Sequence, residues 1–188
     1  MSANVLILST ALSGGGAEYV ARLMAENISR SSCVLFENQA GIASNKYSIH
    51  AIPYIKLNWP IAKIALNLYR LIYIQWAKLR TQPFATISHL EGPNFTNLLT
   101  IGGGRRIIIV HNSLNKNYSN ATAFGRTKQL LARWLYSRAD RIIGVSNDIC
   151  EELVNDYDVN RHRLCVIENP IDIEKIKKLS KARFYDWR

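Results

Sequence analysis

Seven short apolar runs, most of them rich in β-branched residues, punctuate the chain at Val5–Leu8, Val34–Phe36, Ile49–Ile52, Ala85–Ser88, Ile107–Val110, Ile142–Val145 and Leu164–Ile167. Most are continuously hydrophobic rather than alternating, the pattern of strands covered on both faces. Helical periodicity fills most of the gaps. Ala17, Val20, Ala21, Met24, Ala25 and Ile28 recur at intervals of three and four, which predicts a helix over about 16–29. Leu130, Leu131, Trp134 and Leu135 predict a second apolar stripe, with Arg126, Lys128 and Arg133 on the opposite side. A third comprises Ile149, Cys150, Leu153, Val154 and Tyr157; Ser146, Asn147 and Asp148 are its cap candidates, and Glu151 and Glu152 lie in its first turn. Strands alternating with helices predict a single α/β domain with a doubly wound parallel sheet of about seven strands.

In such a sheet, ligands bind beyond the carboxyl ends of the strands. The strand exits are Ser13–Gly16, Glu37 and Asn38, His89–Glu91, His111–Ser113, Ser146 and Asn169. Gly14, Gly15 and Gly16 follow the first strand and precede a helix. There the backbone can approach a ligand closely, and free N–H groups point at any phosphate or carboxylate. As a dinucleotide fingerprint the loop is incomplete, because Tyr19 stands where the third glycine belongs. Glu37, about 20 residues on, remains a candidate ribose-binding acid. The plain alternative is a tight turn without a ligand. His111 ends the run Arg106–His111, and an imidazole there can exchange hydrogen bonds with a sugar hydroxyl or a phosphate oxygen. His89, beside Glu91, reads as a structural histidine. No catalytic triad, paired carboxylates or metal-ligand spacing stands out.

Composition narrows the class. Hydrophobic residues make up 48% and charged residues 20%, which is a globular composition and excludes disorder. Cys33, Cys150 and Cys165 form neither a metal spacing nor an even disulfide set, so reduced cytoplasmic thiols are expected. Residues 1–8 carry no secretory signal, and the sequons at Asn94, Asn117 and Asn120 are expected to be unused. Lys63, Arg70 and Lys78 interrupt the apolar stretch Ile61–Leu79, which argues against a membrane span and for a soluble protein. A net charge of +10 favours an anionic partner.

Four segments carry a resemblance. Ser13–Glu18 (SGGGAE) resembles the Gly-Gly-Ala-Glu loop of the family-four glycosyltransferases, and Ile108–Asn112 (IIVHN) resembles that family's strand ending in histidine. Ala139–Ser146 (ADRIIGVS) and Val166–Asp172 (VIENPID) are similar to two later signatures, in family order and with family-like spacing. The resemblance covers about residues 4 to 180. It implies a Rossmann-like domain, the amino-terminal acceptor-side half of a GT-B architecture over residues 1–180. Residues 181–188 would start a linker or tail, and the carboxyl-terminal donor-binding domain would be absent. It further implies metal-independent transfer, with retention, from a nucleotide sugar to a glycan or lipid-linked acceptor. No cofactor is expected beyond the nucleotide-sugar substrate, and no nucleic acid. His111 would be catalytic. Gly14, Gly15, Gly16, Glu91, Asn112, Ser146 and Asn169 would bind donor phosphates or acceptor.

Two rivals stand beside this reading. A nicotinamide-dependent oxidoreductase domain would use Gly14, Gly16 and Glu37, but Tyr19 counts against it. A non-catalytic anion-binding module would rest on charge alone. The helix expected at Ile61–Arg80 is apolar around most of its circumference. It is either a sheet-covering helix with a solvated basic edge or an interfacial helix lying on the inner face of the plasma membrane. Under both readings Lys63, Arg70 and Lys78 are expected to be solvated, with little effect on folding.

Overall fold

A computed structural model describes residues 5–37, 45–52, 59–117, 123–171 and 173–180. The expected tail at 181–188, and Asp172 of the last signature, lie outside the described residues. The strands are β1 (Val5–Ser9), β2 (Ser31–Leu35), β3 (Ser48–Ala51), β4 (Ala85–His89), β5 (Arg105–Val110), β6 (Arg141–Gly144) and β7 (Leu164–Val166). The helices are α1 (Gly16–Asn27), α2 (Pro60–Thr81), α3 (Glu91–Leu99), α4 (Leu114–Asn117), α5 (Ala123–Tyr136), α6 (Asn147–Tyr157) and α7 (Ile173–Ser180). All strand pairs are parallel, in the order β3-β2-β1-β4-β5-β6-β7. β1 is therefore interior, and β4 is the middle strand.

The order fixes which side each helix takes. A crossover between parallel strands is right-handed, so α1, stepping from β1 to β2, lies on one face, and helices stepping the other way lie on the opposite face. The core divides accordingly. Ile7, Cys33 and Leu35 pack with Ala21 and Ala25 beneath α1. Leu6, Leu8, Val34 and Phe36, the alternate positions of the same strands, pack with Ile74 of α2. Ile108, Val110 and Ile142 pack with Leu135, Tyr136, Leu153 and Tyr157 of α5 and α6. Every strand exit thus lies along one edge of the sheet.

Two expectations about helix faces are corrected. Of the stripe Leu130, Leu131, Trp134 and Leu135, only Leu135 is buried; Ala132 and Tyr136 complete the inner face and the other three are exposed. Large apolar residues stood at adjacent positions on both sides of the helix, and the smaller Ala132 was the true marker. The second correction is Lys78, which is fully buried. Its Nζ donates to Asn97 O at 2.9 Å and Asn97 Oδ1 at 2.8 Å. Asn97 Nδ2 donates onward to Thr86 O and Ser88 Oγ, which ties α2, α3 and β4 together. Burial, and secondarily the charge of Arg106, lowers the Lys78 pKa from 10.5 to about 7. Arg70 is half-buried, donating from Nη2 to Phe36 O at 2.9 Å. A positive φ of +65° at Gly104 suits the turn into β5, and a Cβ there would collide with the Phe84 carbonyl.

Candidate functional site

The carboxyl edge gathers most of the predicted residues. Leu90, between β4 and α3, has φ 69° and ψ 164°, a conformation that costs a non-glycine residue ~1–3 kcal/mol and that clusters at functional sites. It lines a cavity of about 210 Å³ with Glu91, Asn94, His111, Asn112, Leu114 and Tyr136. A second, open cavity of about 530 Å³ adjoins it, lined by His111, Asn112, Ser113, Lys116, Ser146 and Asp148. Glu91, His111, Asn112 and Ser146 thus surround one region. Ser146 also has a local duty: it caps α6, its Oγ accepting from Ile149 N at 3.3 Å.

Gly14–Gly16 lie at the exit of β1, on the same edge but two strands from β5, or roughly 10 Å at ordinary strand spacing. Gly14 has φ +119°, open to glycine and strained for other residues. A Cβ on Gly15 would sit 2.5 Å from Glu18 Oε2, so the Glu18 carboxylate folds over the start of α1. Asn169 joins a different surface, an apolar groove of about 480 Å³ with Val20, Met24, Ile109, Ile143 and Ile167 on the α1 side of the sheet.

His111 is not alone. Its Nε2 lies 3.1 Å from Nδ1 of His89, and the rings stack 5.4 Å apart at 22°. His89 is completely buried. The remaining nitrogens, His89 Nε2 and His111 Nδ1, are buried without a hydrogen-bond partner. Burial lowers the pKa of His111 to about 4; burial and then the His111 ring lower that of His89 too. Both rings are neutral at pH 7, and a single proton lies between them. In this arrangement both nitrogens of His111 face the protein, so meeting a ligand requires the ring to turn from His89. That turn leaves the buried His89 Nδ1 unpaired, at ~1–3 kcal/mol unless the ligand or a water replaces the bond.

The shifts have a stability consequence. Between pH 4 and 6.5 the unfolded histidines hold protons that the folded ones do not. Folding stability should therefore fall as pH drops from 6.5 towards 4, and above pH 7 it should rise, because unfolded Lys78 keeps a proton that the buried amine has lost. At about 1.4 kcal/mol per pK unit, fully buried His89 should lose ~3 kcal/mol over the acid range, and the partly exposed His111 should add less. Urea midpoints across this range check it, and His111→Gln should flatten part of the slope.

The chemistry available at this edge follows from its charges. α1, α3 and α6 all present amino termini there, and each already carries an acid in its first turn: Glu18, Glu91 and Asp148. Those carboxylates complement the helix dipoles and accept from hydroxyl groups. Lys116 supplies a cation to the larger cavity. The edge suits a polyhydroxyl ligand better than a full diphosphate. Sequence reasoning did not find Lys116, Asn94, Tyr136 or the role of His89. Asn94 was legible as one turn from Glu91 on α3, whereas Tyr136 comes from the far end of α5. No group of His, Cys, Asp and Glu among the described residues could hold a metal ion.

The family model of glycosyltransferase family 4 matches residues 14–175, and the chain belongs to that family. Its fold is shared with solved GT-B structures. HepE of Anabaena, in complex with UDP and glucose, matches at TM-score 0.67 and 15% identity, over 95% of this chain and 49% of that one. Sucrose-phosphate synthase of Thermosynechococcus elongatus matches at 0.65 and 10%, over 88% and 48%. The lipopolysaccharide outer core galactosyltransferase WaaB, in its apo form, matches at 0.59 and 17%, over 90% and 46%. The chain spans about half the length of these structures. No curated protein sequence matches it significantly.

Proposed function

We propose that this chain is the acceptor-side domain of a retaining, metal-independent glycosyltransferase. It would move a sugar from a nucleotide-sugar donor to a glycan or lipid-linked acceptor, building bacterial surface polysaccharide or another glycoconjugate at the cytoplasmic membrane face. The family match carries the reading, and the carboxyl edge supports it: Glu91, His111, Asn112, Ser146 and Lys116 surround adjoining cavities at the strand exits. In this reading Glu91 and Asn112 hold acceptor hydroxyls, and His111 turns from His89 to stabilise charge as the sugar transfers. Gly14–Gly16 border the donor diphosphate. Most phosphate contacts belong to a second, donor-binding domain, because the helix amino termini here are already matched by acids. No cofactor and no nucleic acid enter this scheme.

The test uses the 188-residue chain. Titration with a nucleotide sugar, followed by amide NMR, should shift Gly14–Gly16, Asn112 and Ser146, with only weak affinity and no turnover. Submicromolar nucleotide binding or robust transfer by this chain alone would reject the two-domain reading. A response to NAD centred on Gly14, Gly16 and Glu37 would favour the oxidoreductase alternative.

A further inference from the structure

α2 is apolar outside as well as inside, where Ile74 and Ala77 are buried. A surface helix normally turns apolar residues inward and cations to water. Here Lys78 is fully buried, and Arg70 reaches inward to Phe36 O and lies 5.0 Å over the Phe36 ring. The outward face instead carries Ile61, Ile64, Leu68, Ile72, Trp76 and Leu79, each more than half exposed. Their spacing of three and four keeps them on one stripe, about 27 Å long at 1.5 Å per residue. No charged residue falls within it. Gln75 fastens a second element alongside: its Nε2 donates to Ile101 O at 3.1 Å, and its Oε1 accepts from Ile101 N at 2.9 Å. Ile101 is itself exposed, and Trp59 and Phe84 extend the apolar surface at the two ends of the helix.

We infer that this face is an in-plane docking surface for an anionic lipid bilayer. Three observations select that occupant. α2 exposes two cations, Lys63 and Arg80, and contains no acid, in a chain of net charge +10, so the electrostatics favour an anionic surface. The same charge makes two copies of the chain repel, which argues against self-association through this face. Exposed Trp59, Tyr69 and Trp76 punctuate the stripe, and the Arg80 guanidinium lies 5.4 Å over the Trp76 ring, the pairing of amphipathic aromatics and cations that suits the headgroup boundary. No described helix is long and apolar enough to cross a membrane, so the helix would lie on the bilayer rather than span it. α2 returns the chain from β3 to the parallel β4, so its amino-terminal end lies towards the carboxyl edge of the sheet. Docking on this face would bring that edge beside the bilayer surface. The inference stands on α2 alone and does not require the transfer reaction.

Vesicle flotation tests it. The chain should float with phosphatidylglycerol–phosphatidylcholine vesicles, less with pure phosphatidylcholine, and less as salt rises. Leu68→Gln with Ile72→Gln should reduce binding to the mixed vesicles at least ~10-fold, since both apolar side chains leave water on docking. The melting temperature should hold, because both side chains are solvent-exposed. Ile61→Gln with Ile64→Gln, one to two turns away, repeats the test should the first pair fold poorly. Absence of wild-type binding, or full binding by the folded variants, would overturn the inference. So would a concentration-dependent dimer in sedimentation that these variants dissociate, because a second copy would then own the face.

Discussion

Lys78→Glu should unfold this domain at temperatures where the wild type is intact. The substitution puts a buried carboxylate where an amine donates to Asn97 O and Asn97 Oδ1, both of them acceptors. The carboxylate then meets two acceptors, in a place water does not reach. Leaving a buried charge unpaired costs ~3–5 kcal/mol, which for a domain of this size lowers Tm by roughly 10 °C or more. Lys78→Met keeps the aliphatic stem and leaves Asn97 Oδ1 without its donor, while Asn97 O still accepts from Thr100 Oγ1 at 3.1 Å, so its cost should be ~1–3 kcal/mol. Lys63→Glu, on an exposed position of the same helix, should stay within ~0.5 kcal/mol. Circular dichroism melts of the three variants settle the ranking. Equal melting temperatures would mean that Lys78 is solvated, as the sequence pattern alone predicts.

That contrast marks what the sequence makes legible. Strand positions were readable because parallel strands covered on both faces are continuously apolar, as in Ile107–Val110. The Ser146 cap was readable because capping is local, with donor and acceptor three residues apart. The inward turn of Lys78 was not. It depends on Asn97, from α3, and helical periodicity carries no information about which partner waits across an interface. The α5 stripe failed for a related reason: Leu130, Leu131 and Trp134 are apolar yet exposed, so hydrophobicity pointed to the wrong face. At the site, His111 and Glu91 were found as strand-exit residues, and the topology brings them to one cavity. The bond from His89 to His111 was missed because it joins two adjacent strands, β4 and β5, whose pairing no single segment encodes. Asn169 was found as a motif residue, but the fold puts it in the groove beside α1.

The second large effect concerns catalysis. In the two-domain enzyme that the proposed function requires, His111→Ala should lower kcat ~10²–10³-fold, the usual cost of removing one donor that faces developing charge in the reacting complex. Nucleotide affinity should change little, because the donor phosphates rest mainly on the other domain. His111→Gln retains a hydrogen-bonding side chain and should recover part of the rate. The substitution to Ala also leaves His89 Nδ1 unpaired, at a stability cost of ~1–3 kcal/mol, so rates belong well below the melting temperature. The most direct measurement is therefore the single-turnover rate of sugar transfer by the complete enzyme, wild type against His111→Ala, with saturating nucleotide sugar. The account predicts a loss of at least ~100-fold with the fold intact. A folded His111→Ala enzyme that transfers at the wild-type rate would contradict the assignment of this sheet edge as the reaction site.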